Sequence, residues 1–551
     1  MATLNSPQGS PEGPTSSHSR TREDESNDSP PVVESDVINT NEVGSVVEPS
    51  EQQLDECPIK GEEASAGEQS DTPPPPYSVF RRWQIWCIVV LTSCAALFSP
   101  LSANIYFPAI PVIATAFNQS IENINVTVTV YMLLQGTAPM VWGSLADWHN
   151  CVGLALTPTS DYWLLVLLRC LQAAGSASSV AISIGTIMDI AEPSERGTMV
   201  AMASIGTLVT PSIGPVIGGV LAGNLGWRSI FWFLCIFSGS VMILEVVFLP
   251  ETLRAITGDG SIPAQRWNRP FIPILMSGAN YEGKSPDPSR ASNPLEIFKC
   301  YRNIDLVLLL WSIAVPYAGL YCILTTMSPT FLAVMPSLTE IDLGLCYLAT
   351  GVGGIAGSLC GGRLVDWDFR RAKKLALLKK GIGSEEAAQM VANARGGAKY
   401  EGIDNVERTR LRLSPIYWSI YVIILIGYGW AIEQRVHIAC LLVLQFLAMF
   451  QLTAIFTSTQ TLLMDLFPGR GASVSASNNL VRCLTAAVLV SIVDFIINAV
   501  GYGWTFTILG TWCIVTYPLL ILEMAWGWKW RERRSEREKK EQEKSERMSS
   551  S

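Results

Sequence analysis

Arg169 lies about eight residues into an apolar run near 162–188, where a lone guanidinium costs several kcal/mol unless it faces water or a partner. Gln172 stands three residues on, one helical turn away. Arg482, with Asn478 and Asn479, makes a parallel case in a run near 473–499. Such side chains either hydrogen-bond a bound molecule near the midplane or join helices to one another. Asn104, Tyr106, Gln135, Tyr317, Tyr321, Gln445 and Gln451 are the other polar or aromatic side chains placed to line a shared cavity. Exchange of a proton needs a buried acid. The first apolar run, 84–106, contains none, which leaves Asp494 and, less deeply, Glu245 and Glu523. The three histidines (His18, His149, His437) are not paired for a metal, and no nucleophile–base constellation exists. These residues fit a conduit for small molecules, with neither enzymatic chemistry nor a cofactor expected.

The elements that hold them are apolar. The 551 residues are 49% hydrophobic and 16% charged, with mean hydropathy +0.29, against about a quarter charged in a soluble protein. Charge divides sharply along the chain: residues 1–80 carry 16 acidic and 3 basic side chains, so the net −9 is an acidic tail joined to a slightly basic remainder. The low pI therefore says nothing about partners of the core, and nucleic-acid binding is not expected. Thirteen scattered cysteines without a C-x-x-C spacing read as small buried hydrophobes.

Residues 1–80, rich in Ser, Pro, Glu and Asp, cannot bury enough surface to offset chain entropy and are expected to be a disordered cytoplasmic tail. The tail has no apolar core of a secretory leader. It ends in Pro73-Pro74-Pro75-Pro76-Tyr77, a stiff polyproline stretch that serves as a spacer or, through Pro74, Pro75 and Tyr77, as a docking site for WW-domain ubiquitin ligases. From Trp83 onward come runs of the length that crosses a hydrocarbon core as a helix, near 84–106, 124–143, 162–188, 198–222 and 229–249. After a polar middle stretch over 251–304 they resume near 305–334, 341–362, 415–432, 436–462, 473–499 and 504–527. A hydrophilic loop is expected over 363–414 and a charged tail over 529–551, with nine basic and six acidic residues between Lys529 and Arg547. Lys and Arg collect before the first run, in the middle stretch, after 341–362 and after the last run, so both termini are expected in the cytoplasm. An all-α membrane protein of two helical bundles (81–250 and 305–528) follows, lipid-embedded and expected to act as a monomer. Asn118 and Asn125 form glycosylation sequons in or beside a loop on the opposite side.

Gly143-Ser-Leu-Ala-Asp147 and Gly362-Arg-Leu-Val-Asp366 echo each other, each placing a carboxylate four residues after a glycine at an expected helix end; Arg370 and Arg371 follow the second copy. Here the chain resembles the major facilitator superfamily, whose loop motif reads G-x-L-a-D-r-x-G-R-r in each half. Arg169, Gln172 and Gly175 fit its R-x-x-q-G-x-g pattern, with alanine replacing the first glycine, and Gly214-Pro215-x-x-Gly218-Gly219 is the core of its antiporter motif. Ser102 to Pro111, Pro250-Glu251-Thr252, Met464 to Pro468 and Ala476 to Arg482 resemble the fungal twelve-spanner drug:proton antiporters of the quinidine-resistance and weak-acid-export type. The resemblance, covering about residues 80–530, implies a plasma-membrane pump that exports drugs, weak acids, polyamines or a secondary metabolite in exchange for protons by alternating access. It implies that Gly143, Asp147, Gly362, Asp366 and Arg370 latch the cytoplasmic side. It also makes the Gly214–Gly219 segment a hinge, which the residues alone equally allow as a packing seam.

One departure stands out. After Asp147 the family carries a basic turn and a whole third helix, whereas here only Ser144 to Asp161 remain to recross the bilayer, too few for a spanning helix. Eleven runs also conflict with the even number that two termini on one side require. A skipped exon, a wrongly removed intron or a degenerate, inactive copy would account for this. A non-transporting sensor on the same fold, with the acidic tail as its output, is the other reading.

Overall fold

A computed structural model describes residues 78–141, 161–192, 196–257, 269–272, 274, 301–393, 405–467 and 471–549. Pro74, Pro75, Tyr77, Gly143, Asp147 and the shortened segment between Ser144 and Asp161 lie outside them, apart from Asp161 itself. The described part is built of helices. α1 (Arg82–Asn104), containing Pro100, turns through a short 3-10 segment at Phe107–Ala109 into α2 (Ile110–Phe117), forming one 36-residue rod. α3 (Ile121–Val141), α4 (Tyr162–Ser176) continued by α5 (Ser179–Ile190), α6 (Arg196–Leu225) and α7 (Arg228–Phe248) complete the first half. α8 (Ile304–Val334), α9 (Glu340–Cys346), α10 (Leu348–Lys379), α11 (Ser384–Asn393), α12 (Val406–Arg410), α13 (Ser414–Glu433) and α14 (Ile438–Leu466) follow. The last element, Gly471–Ser549, breaks at Gly501 (φ 82°, ψ 172°) into α15 over 471–500 and α16 over 502–549. Among the described residues this makes eleven long rods, one for each apolar run.

Helix ends follow local chemistry. Thr339 and Asp342 cap α9 reciprocally, the Thr339 hydroxyl accepting from the Asp342 amide and the Asp342 carboxylate from the Thr339 amide. At the Gly501 break the Glu433 carboxylate accepts the amides of Tyr502 (2.9 Å) and Gly503 (3.3 Å), meeting the orphan donors that open α16. One expectation fails. The hydrophilic stretch after 362 is not a loop, because α10 runs through Gly362, Asp366 and Arg370 to Lys379 and ends only at Gly381 (φ 85°). Residues 363–379 hold strong helix formers and neither proline nor glycine. The second copy of the loop motif therefore sits inside a helix, with Arg363, Arg370 and Arg371 exposed.

Packing sorts the helices into two sets. α1 lies against α5, α6 and α7, and α3 against α4; α8 lies against α15 and α16, α10 against α14, and α13 against α14 and α16. Large exposed side chains such as Leu167, Ile236, Ile423, Val488 and Val515 stud the outer surface, as lipid-facing helices require. Within the second half, Gly353, Gly357 and Gly361 repeat every fourth residue along α10 and admit the α14 backbone at Phe446, Phe450 and Ala454. The two sets meet along α3 with α15 and along α6 with α9 and α10.

Candidate functional site

α4 carries Arg169 inward, where it is 1% exposed. Its guanidinium carbon lies 4.4 Å from the ring centroids of both Tyr106 and Tyr131, which clamp the charge with their π-faces. Nη1 donates to the Ser102 carbonyl (3.1 Å) and to Gln172 Oε1 (2.7 Å), while Nε and Nη2 have no hydrogen-bond partner among the described residues. Tyr106 is held by a hydrogen bond from Thr127 (3.0 Å). Tyr131 is held by the Ser99 carbonyl (3.0 Å), Ser176 (3.0 Å) and Ser102. No carboxylate among the described residues forms an ion pair with Arg169.

A second cation answers it from the other half. Arg482 on α15 lies 4.4 Å from the Tyr317 ring and 5.6 Å from that of Phe456, donates to Asn479 Oδ1 (3.0 Å), and keeps a buried Nε without an acceptor among the described residues. Asn479 in turn donates to the Gln135 carbonyl (3.0 Å), and Gln135 donates to Ser99 (2.9 Å). A polar chain thus runs from Arg482 through Asn479 and Gln135 to Ser99, which also accepts from the Tyr131 that stacks on Arg169. Aromatic contacts close the same region: Phe107 lies 6.3 Å from Tyr321 and 6.2 Å from Tyr347, and Tyr321 lies 4.6 Å from Tyr317. Arg169, Gln172, Gln135, Tyr321, Asn479 and Arg482 are therefore brought together. The site combines two guanidiniums without a carboxylate partner among the described residues, side-chain amides and aromatic rings, which suits an anionic organic molecule.

Other sequence-predicted residues lie elsewhere. Asn104 donates to Pro100 of its own helix (2.7 Å) and packs against Gly214 on α6. Gln445 donates to the Tyr428 hydroxyl (3.1 Å), and Asn478 to Gln460 (2.9 Å), both within the second half. Asp494 accepts a hydrogen bond from Asn125 across the α3–α15 seam, and Asn498 bonds Glu122 (2.6 Å) beside it. Asn125 is 1% exposed at this seam, out of reach of a glycosylating enzyme in the folded chain. Asn118, at φ 48° in the turn between α2 and α3, is exposed. In the Gly214–Gly219 segment, Gly218 admits the backbone of Ile105, and Gly219 faces Gly344 on α9 so closely that a Cβ on Gly344 would stand 3.2 Å from the Gly219 Cα.

A charged cluster was not legible in the sequence. At the end opposite the Asn118 turn, Arg410 pairs with Asp465 (2.9 Å) and lies 3.7 Å from the Phe369 ring. Arg534 pairs with Asp305 and donates to the Leu466 carbonyl (2.9 Å), and Arg531 approaches Glu407 to 3.4 Å. Glu523 and Glu407 are fully buried beside them, with no hydrogen bond to their carboxylate oxygens from the described residues. The local signals were Glu523, already a candidate buried acid, Asp305 at the start of the 305–334 run, and Asp465 just past the 436–462 run.

Comparison with known proteins identifies the family. The Major Facilitator Superfamily pattern matches residues 92–379. Citrate exporter 1 of Aspergillus niger is 34% identical over 84% of this chain and 90% of its own. MFS antiporter QDR2 of Candida albicans is 30% identical over 86% of this chain and 93% of its own. A bacterial homolog of the human lysosomal transporter Spinster, solved inward-facing and unoccupied, matches with a TM-score of 0.50 at 13% identity, over 84% of this chain and 98% of that one, a likeness of fold alone. The chain belongs to the major facilitator superfamily, as a multi-pass membrane transporter with fungal exporters and drug antiporters among its relatives.

Proposed function

We propose that this transporter exports small organic anions, weak carboxylic acids foremost, from the cytoplasm across the plasma membrane in exchange for protons. The carrying observation is Arg169: fully buried, stacked between two tyrosines, and lacking, among the described residues, both a carboxylate partner and acceptors for Nε and Nη2. A buried cation left in that state is stabilised most by an anion that arrives and leaves. Arg482 adds a second positive charge, which disfavours the polyamines among the substrates considered. The name of the citrate exporter supports the same class of cargo. The basic-rich end, with both termini, faces the cytoplasm in this reading, and the Asn118 turn faces outside.

The test is efflux of radiolabelled citrate and benzoate from proteoliposomes, with and without an imposed proton gradient, beside spermidine as the cationic control. Carboxylates should leave faster with the gradient. Removing one charge-assisted contact with Arg169→Ala should cost about 1.5–3 kcal/mol, roughly 10- to 150-fold in transport efficiency, with Arg169→Lys falling between because it keeps the charge and loses the stack. Spermidine export without carboxylate export, or an unchanged rate in Arg169→Ala, would refute the reading.

A further inference from the structure

Asn125 lies four residues into α3 and Asp494 seven residues before the Gly501 break, so the pair sits about 6–10 Å inside the helix ends. It joins the two halves at the end bearing the Asn118 turn. The Asn125 amide donates through Nδ2 to Asp494 Oδ2, but its Oδ1 is buried and has no donor among the described residues. An amide opposite an ionised carboxylate must leave its own oxygen unsatisfied, since that carboxylate offers no hydrogen. A protonated carboxyl opposite the same amide forms two bonds, N–H to the carbonyl oxygen and O–H to the amide oxygen. Among the described residues, the charged or titratable side chains facing Asp494 are Glu122 from α3 and Cys322 from α8, and none is a cation.

We infer that the Asn125–Asp494 pair is the proton-carrying clasp of this end: it holds α3 against α15 when Asp494 is protonated and releases them when Asp494 is ionised. A proton from the water at that end adds to Asp494, and the new O–H bond donates to Asn125 Oδ1, closing the ring. Loss of that proton leaves a carboxylate facing an amide oxygen and the Glu122 carboxylate, which favours separation of the helices and entry of water. Closure thereby becomes tied to carrying a proton inward, and opening to having given it up, which is the order an antiporter requires. The inference rests on the proton-exchange reading above.

The test uses the full chain in lipid nanodiscs with a reporter cysteine at Ile341, which packs on Gly223 at the α6–α9 seam of the same end. Labelling by a membrane-impermeant maleimide is followed from pH 5 to pH 8, each rate divided by that of the unfolded chain. Labelling of the parent should rise several-fold with pH. Asp494→Asn, which keeps a two-bond pairing with Asn125 at every pH, should label slowly and without that rise. Asn125→Leu should label quickly throughout. The exchanged pair Asn125→Asp with Asp494→Asn should recover the pH dependence, which guards against a variant that merely misfolds. An undiminished rise in Asp494→Asn, or a flat profile in the exchanged pair, overturns the inference. Absence of carboxylate efflux with an intact labelling switch would overturn only the assigned cargo.

Discussion

Gly219→Ala separates the two roles open to the Gly214–Gly219 segment. A Cβ at Gly219 would overlap the Glu340 carbonyl oxygen and stand 3.0 Å from Gly344 Cα and 3.2 Å from Gly344 N. These are backbone atoms that no rotamer change moves, so α6 and α9 must part by about 1 Å, at an overpacking cost of about 1–3 kcal/mol. The cost falls only on the arrangement in which the halves touch here; once they separate, the methyl group meets lipid or water. At 1.4 kcal/mol per tenfold, the equilibrium should move roughly 5- to 150-fold toward separation. Maleimide labelling of a cysteine at Ile341 reads this directly. Gly218→Ala is the control, because its Cβ would strike the Ile105 carbonyl within the same half. That substitution should lower the melting temperature without raising the labelling rate. A folded Gly219→Ala protein that labels at the parent rate would refute the argument and leave the segment as ordinary packing.

The charged cluster at the other end yields two further predictions. Arg410→Ala breaks the 2.9 Å ion pair with Asp465, which is 10% exposed, and should destabilise the chain by about 3–5 kcal/mol in detergent unfolding, whereas the double change with Asp465→Leu should recover much of that loss; equal losses in the single and double variants would refute it. Burial raises the pKa of Glu407 above its usual value, and Asp305 raises it further, with Arg531 and Arg534 opposing. The folded chain therefore holds the Glu407 proton to higher pH than the unfolded chain, so its contribution to stability is present below the ordinary glutamate value and is lost as pH rises through the folded value. Glu407→Gln should flatten the fall in melting temperature over that window, and superimposable profiles for parent and variant would count against it.

The sequence by itself determined the membrane-spanning helical class, the position of each apolar run to within a few residues, and the burial of Arg169. Those properties depend on hydropathy summed over about 20 neighbouring residues, and on the cost of one charge in lipid, both local. Pattern alone also carried the family motifs. It misjudged the stretch after Gly362, because polarity there predicts exposure and says little about whether an exposed segment is helical. Only the tertiary structure decided which polar residues meet. Asn125 and Asp494 are separated by 369 positions, Arg410 and Asp465 by 55, and Asp305 and Arg534 by 229. The pairings depend on how helices rotate and cross, which backbone glycines at Gly219, Gly344 and along α10 permit and which no run of residues encodes. The same holds for the two arginines: the sequence placed each in its own helix, and the fold put Tyr131, Gln135 and Asn479 in between, linking them into one site.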